Sequence, residues 1–133
     1  MANPRETIEA PAAPAAIGPY SHAVRAGALL FCSGQIPLDP ATGEIVGETP
    51  AEQARQCLLN LTAVCDAAGA SLADAVRLTV YMTDLSAFAE VGEVYATFFT
   101  EDPPARAALG VAALPRGAQV EIDAIVSLAA APA

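Results

Sequence analysis

The stretch Pro104-Ala105-Arg106-Ala107-Ala108, running through Val111 to Leu114-Pro115-Arg116-Gly117 and on to Gln119-Val120-Glu121-Ile122-Asp123-Ala124-Ile125, decides the fold. Two apolar segments flank a Pro-Arg-Gly turn signal, a pattern that predicts two strands joined by a short connection. Each strand interrupts its apolar run with an ionisable residue, Arg106 at the start of the first and Glu121 early in the second. A guanidinium is a planar fork that matches a carboxylate. A glutamate can move a proton or orient a water. A structural ion pair or two solvated rim residues would produce the same pattern, because ion-pair networks also place charges near cores. From these residues alone both readings stand.

Working outward, Thr49-Pro50-Ala51-Glu52 predicts a helix start, with Thr49 as N-cap, Pro50 at the first position and Glu52 closing a capping box. Ala54, Leu58, Leu61, Cys65 and Ala68 repeat at steps of four and three, one apolar face, and Gly69 ends the helix. From Ala75 to Met82 the residues alternate. Val76, Leu78, Val80 and Met82 fall on one side of a strand and Arg77, Thr79 and Tyr81 on the other. A second helix follows a cap at Asp84 or Ser86, with Phe88, Val91, Tyr95 and Phe98 as its inner stripe. Toward the N-terminus, Ala23–Ala26 and Ala28–Ser33 read as a hairpin about Gly27, and Leu29-Leu30-Phe31 as a strand covered on both faces. Gly34, after that strand, lets a ligand or another backbone approach. Tyr20 follows the loop signal Gly18-Pro19. His22 is the lone histidine and is expected on the surface of a strand. Residues 1–14 read as a loose lead-in in which Glu6–Glu9 pairs weakly as an edge. Two helices on one face of a mixed sheet is the α+β solution for this order.

The chain has 133 residues, which predicts one domain spanning 1–133. It is 54% hydrophobic and 16% charged, an apolar surplus that points to a subunit interface as well as to alanine content. Its formal charge is −9 with six scattered arginines, which disfavours a nucleic-acid surface and an anionic membrane as partners. No stretch has the length of a membrane span and no secretory signal opens the chain, so a cytoplasmic location is expected. The three cysteines, Cys32, Cys57 and Cys65, form no C-x-x-C pair and are read as buried free thiols, dispensable for chemistry. No phosphate loop, metal cluster or Ser-His-Asp set is present, so no metal or cofactor is expected.

The Pro-Ala-Arg, Val-Ala-x-Leu-Pro and Val-Glu-Ile-x-Ala-Ile strings together resemble the Rid family of reactive-intermediate deaminases, most closely its RidA branch. The likeness extends to Ile17-Gly18-Pro19-Tyr20-Ser21, Ser33-Gly34-Gln35-Ile36 and Asp39-Pro40-x-Thr42-Gly43, from about Pro14 to Ser127. It implies a chorismate-mutase-like fold and a homotrimer with its sites in clefts between subunits. It also implies hydrolysis of 2-iminobutanoate or 2-iminopropanoate to the 2-keto acid and ammonia. Under it, Arg106 grips the substrate carboxylate by charge-assisted bonds, and Glu121 orients the attacking water or shuttles a proton. Tyr20, Ser33 and Gly34 shape the pocket, and the backbone near Ala108 helps hold the carboxylate. The sequence departs from the pattern at Gly92, where the family usually has asparagine. It also has Ala107 and Ala108 where some members have Ser and Cys, so no cysteine nucleophile follows the arginine. Two other classes stay open: a small-carboxylate-binding or regulatory module without turnover, for which Arg106 alone suffices, and a nuclease or translation inhibitor, which the charge disfavours.

Overall fold

A computed structural model describes residues 4–128. The elements in chain order are β1 (Glu6–Ile8), β2 (Ala23–Ala26), β3 (Leu29–Gln35), α1 (Pro50–Ala67), β4 (Ala75–Met82), α2 (Phe88–Phe98), β5 (Ala105–Gly110) and β6 (Val120–Ser127). The strands form one six-stranded sheet in the order β1-β2-β3-β6-β4-β5, in which β4 and β5 run parallel and all other pairs antiparallel. This is the α+β arrangement expected, a mixed sheet with two helices on one face.

The capping box at α1 forms as the sequence dictates: the Thr49 side chain accepts from the Glu52 amide, and the Glu52 carboxylate accepts from the Thr49 amide. Leu58, Leu61, Val64 and Cys65 then seal the inner stripe, and Gly69 takes a φ of 71° just past the end. They meet the helix-facing parity of the sheet: Leu30 and Cys32 of β3, Val120, Ile122, Ala124 and Val126 of β6, and Leu78, Val80 and Met82 of β4. Full burial of a leucine or isoleucine stabilises by about 1.5–3 kcal/mol, so this layer carries most of the fold.

Five expectations need correction. Leu29-Leu30-Phe31 is covered on one face only within the chain, since the helices seal Leu30 while Leu29 and Phe31 on the other face stay exposed. The strands carrying Arg106 and Glu121 are not neighbours, because β4 inserts between β6 and β5. Val76 is exposed rather than inward, because a register shift between Ala75 and Arg77 takes it out of the alternation. His22 is buried, its Nδ1 accepting from the Ala10 amide at 3.1 Å and its Nε2 donating to the Pro14 carbonyl at 2.8 Å. That clasp also corrects the loose lead-in over its described part: β1 pairs with β2, and Ala10 and Ala13 belong to the core.

Candidate functional site

A cleft of about 260 Å³ opens where β3 runs out into the following loop, lined by Ile17, Tyr20, Gly34, Ile36, Pro115 and Arg116 among others. Tyr20 is half exposed and forms one wall of this cleft. A larger depression of about 570 Å³ lies on the other side of Tyr20, but Glu9 and His22 are its ionisable lining groups. With no arginine on it, that depression offers nothing to grip an anion.

Glu121 sits beside the smaller cleft. The strand alternation that buries Val120 and Ile122 sends Glu121 to the opposite, helix-free face. Its side chain lies across Gly34: a β-carbon at that glycine would collide with Oε2 and come within 3.0 Å of Cδ. Glycine is favoured here by this close approach rather than by backbone conformation, since a larger residue would displace the Glu121 carboxylate. Burial, then the neighbouring Asp123 carboxylate, push the Glu121 carboxyl above the usual range. Asp123 itself accepts a 2.9 Å hydrogen bond from the Tyr81 hydroxyl. Ser33 turns its hydroxyl to the Ser21 carbonyl at 2.6 Å, which fixes the loop before β2 and commits its proton.

Arg106 is elsewhere. It pairs in register with Leu78 of β4, whose side chain points into the helix layer, so Arg106 shares that face. Its guanidinium lies 4.8 Å from the Phe88 ring and 5.1 Å from the Tyr95 ring of α2, two cation–π contacts that orient the fork without using its donors. Ala108 follows two residues on, on the same face. Arg106 and Glu121 thus occupy opposite faces of one sheet, two strands apart, or roughly 10 Å before the offset along the strands is added. Within one chain the structure brings Tyr20, Gly34 and Glu121 together and leaves Arg106 and Ala108 outside that group.

The cleft walls are held from α1 by side chains that sequence reasoning did not single out. Asn60 donates to the Ile36 and Leu38 carbonyls at 3.2 and 3.0 Å, and Gln56 donates to Asn60 Oδ1. Gln53 accepts from the Gln119 amide at 2.7 Å and donates to the Gly47 carbonyl. Two polar residues on the buried stripe of an amphipathic helix were the available signal, since such groups need designated partners. Arg116 was also passed over, read only as part of a turn. The cysteines are free and buried, and the Cys65 thiol together with burial pushes Cys32 up. Burial, then Glu121, does the same to Cys57, so neither presents a thiolate. Among the described residues no group of three or more His, Cys, Asp or Glu side chains is placed to hold a metal.

The chain is thus a small α+β domain that displays a cation and a carboxylate on opposite sheet faces, the carboxylate beside a short cleft. The family model described as Endoribonuclease L-PSP matches residues 10–128. A RutC family protein of Sinorhizobium fredii is 53% identical over 123 residues, covering 92% of this chain and 98% of that one. The 2-iminobutanoate/2-iminopropanoate deaminase of Mus musculus is 47% identical over 121 residues, covering 91% and 90%. The crystal structure of RidA from an Antarctic Psychrobacter superposes with a TM-score of 0.89 at 46% identity, covering 92% of this chain and 99% of that one. The chain belongs to the Rid family, as its motifs implied.

Proposed function

We propose that this protein hydrolyses reactive 2-imino and enamine acids, 2-iminobutanoate and 2-iminopropanoate, to 2-keto acids and ammonia, as a homotrimer whose sites lie between subunits. The observation that carries the reading is the separation of Arg106 and Glu121. Two groups on opposite faces of a sheet cannot act on one small molecule in one chain, but Arg106 of one copy can face Glu121 of the next. The open face that would close such an assembly carries Phe31 and Leu109 at 43% and 46% exposure, the apolar surplus of the composition.

In this cleft Arg106 aligns the substrate carboxylate by two parallel charge-assisted bonds. Protonation of the imine nitrogen makes C2 electrophilic. Glu121 takes a proton from the attacking water and hands it to the nitrogen of the tetrahedral carbinolamine, which leaves as ammonia while the C2 hydroxyl releases its proton to solvent and becomes the keto oxygen. Tyr20 and Gly34 close the pocket around C2. Free thiols at Cys32 and Cys65 fit a reducing, cytoplasmic setting. The ribonuclease chemistry in the family model's description draws no support from a chain of charge −9 with six scattered arginines.

The test couples the protein to a threonine dehydratase and follows ammonia or 2-ketobutanoate release, with light scattering for the trimer. Arg106→Lys and Glu121→Gln, each inactive alone, are then unfolded together and refolded. Random mixing restores an intact Arg106–Glu121 pair at about a quarter of the sites if the two come from different copies. No recovery sinks the shared site; normal binding of 2-ketobutanoate without turnover returns the protein to the class of carboxylate-binding modules.

A further inference from the structure

Arg116 stands between Pro115 and Gly117 with φ 61° and ψ 18°, in the left-handed region that glycine occupies without strain. A long cation holds a position where the backbone favours glycine, an arrangement that marks functional positions. The fold makes little use of the side chain. It is exposed, it donates one long hydrogen bond to the Gly43 carbonyl at 3.3 Å, and among the described residues no carboxylate lies within salt-bridge distance of it. Yet it lines the cleft with Tyr20 and Gly34, and it is the arginine that does so within this chain. The cleft, about 260 Å³, is smaller than the roughly 300–1,000 Å³ of pockets for drug-sized ligands and suits an acid of a few carbons.

We infer that Arg116 is a specificity-determining residue that receives the second carboxylate of a four- or five-carbon 2-imino diacid. This rests on the cleft being the imine site proposed above, with the first carboxylate held by Arg106 of the neighbouring copy. Charge makes the same demand. A chain of −9 repels a dianion at long range, so a diacid enters only where cations are displayed locally. Arg106 of the neighbouring copy supplies one and Arg116, on the cleft wall, the other. The fork has donors to spare beyond its contact with Gly43, and a carboxylate takes two of them at once.

The experiment is calorimetric titration of the full-length trimer with 2-oxobutanoate and 2-oxoglutarate, stable keto analogues of the mono- and diacid imines, for wild type, Arg116→Gly and Arg116→Lys. Glycine relaxes the left-handed position, so this variant folds. The expected result is a diacid-to-monoacid affinity ratio that falls about tenfold in Arg116→Gly, the loss of one charge-assisted pair, with Arg116→Lys between the two. The wild-type ratio also shrinks in about 0.5 M salt, because the pair is exposed. An unchanged ratio in Arg116→Gly overturns the assignment, including the case in which both acids lose affinity together and Arg116 holds the carboxylate they share. A second arm measures hydrolysis of the two imines, generated in place by amino-acid oxidases. Absent turnover with an Arg116-dependent diacid preference in binding removes the hydrolase reading and leaves the assignment of Arg116 standing.

Discussion

On the helix-covered face of the sheet, Leu30, Leu78, Val80 and Ile122 are sealed completely; on the other face of the sheet, Phe31 and Leu109 keep 43% and 46% of their surface exposed and sit among Tyr81, Glu121 and Asp123. One face is closed by α1 and is a core. The other has alternating parity, apolar bulk and ionisable groups but no covering layer within the chain. Arg106 breaks the division. It belongs to the helix-covered parity, yet its strand is the sheet's edge, where Phe88 and Tyr95 support the guanidinium without enclosing it. The covered face thus gives stability and holds a cation at its edge, and the open face displays a carboxylate. Under the function proposed above, the chemistry would fall where copies bring the two together.

The sharpest way to break this comparison is Arg106→Lys. It keeps the charge but loses the fork, the stacking on two rings and the alignment of the substrate. We expect kcat/KM to drop about 100-fold or more, with weaker calorimetric binding of 2-ketobutanoate; a variant silent in both measurements misplaces the site. Next comes Glu121→Gln, which keeps shape but cannot accept a proton. General-base loss predicts a rate about 100-fold lower, with 2-ketobutanoate binding nearly intact. The pH profile of the wild type carries the same information. An acid held above its usual range is the protonated one at higher pH, so the competent carboxylate is lost on acidification earlier than for an ordinary glutamate. After subtraction of the spontaneous hydrolysis, the acid limb of the wild type should vanish in Glu121→Gln.

Gly34→Ala is milder and more selective. The added methyl meets the far end of the Glu121 side chain rather than backbone, so the carboxylate moves and the fold stays. The rate should fall about tenfold with an unchanged melting temperature, the loss expected from misplacing a reacting group. An unaffected rate would mean that Glu121 need not lie where it does. The smallest effect tests the covered side. Gly92 lies within α2 and an added β-carbon meets nothing within 4 Å. Gly92→Ala should therefore stabilise by about 0.5–1 kcal/mol, the helix-propensity difference, read as a higher midpoint in urea.

Much of this was legible in the sequence because local rules wrote it. The capping box of α1, its inner stripe, the Gly69 stop and the alternation of β4 each depend on neighbours within a few residues. The pairing of Arg106 with Glu121 looked like a property of two consecutive strands, and there the reading stopped. Strand order is a non-local choice, and nothing in residues 104–125 announces that β4 will lie between them. His22 was misplaced for a related reason. Its partners are the backbone of Ala10 and Pro14, and backbone groups carry no sequence signal. Tyr20 and Gly34, singled out by their motifs, line one cleft, and Arg116, hidden in a turn signal, needed the three-dimensional structure to be noticed beside them.

The position of β5 at the rim of the sheet has a consequence for the life of the free chain. Its outer row of amides and carbonyls is a template on which another strand can grow. Pro103 and Pro104 stand immediately before it and offer no amide hydrogens, and Arg106 is the sole charge between Ala105 and Gly110. The residue assigned to gripping substrate is also the gatekeeper of an aggregation-prone edge. An apolar replacement there would be counter-selected twice, once in catalysis and once in the yield of soluble protein.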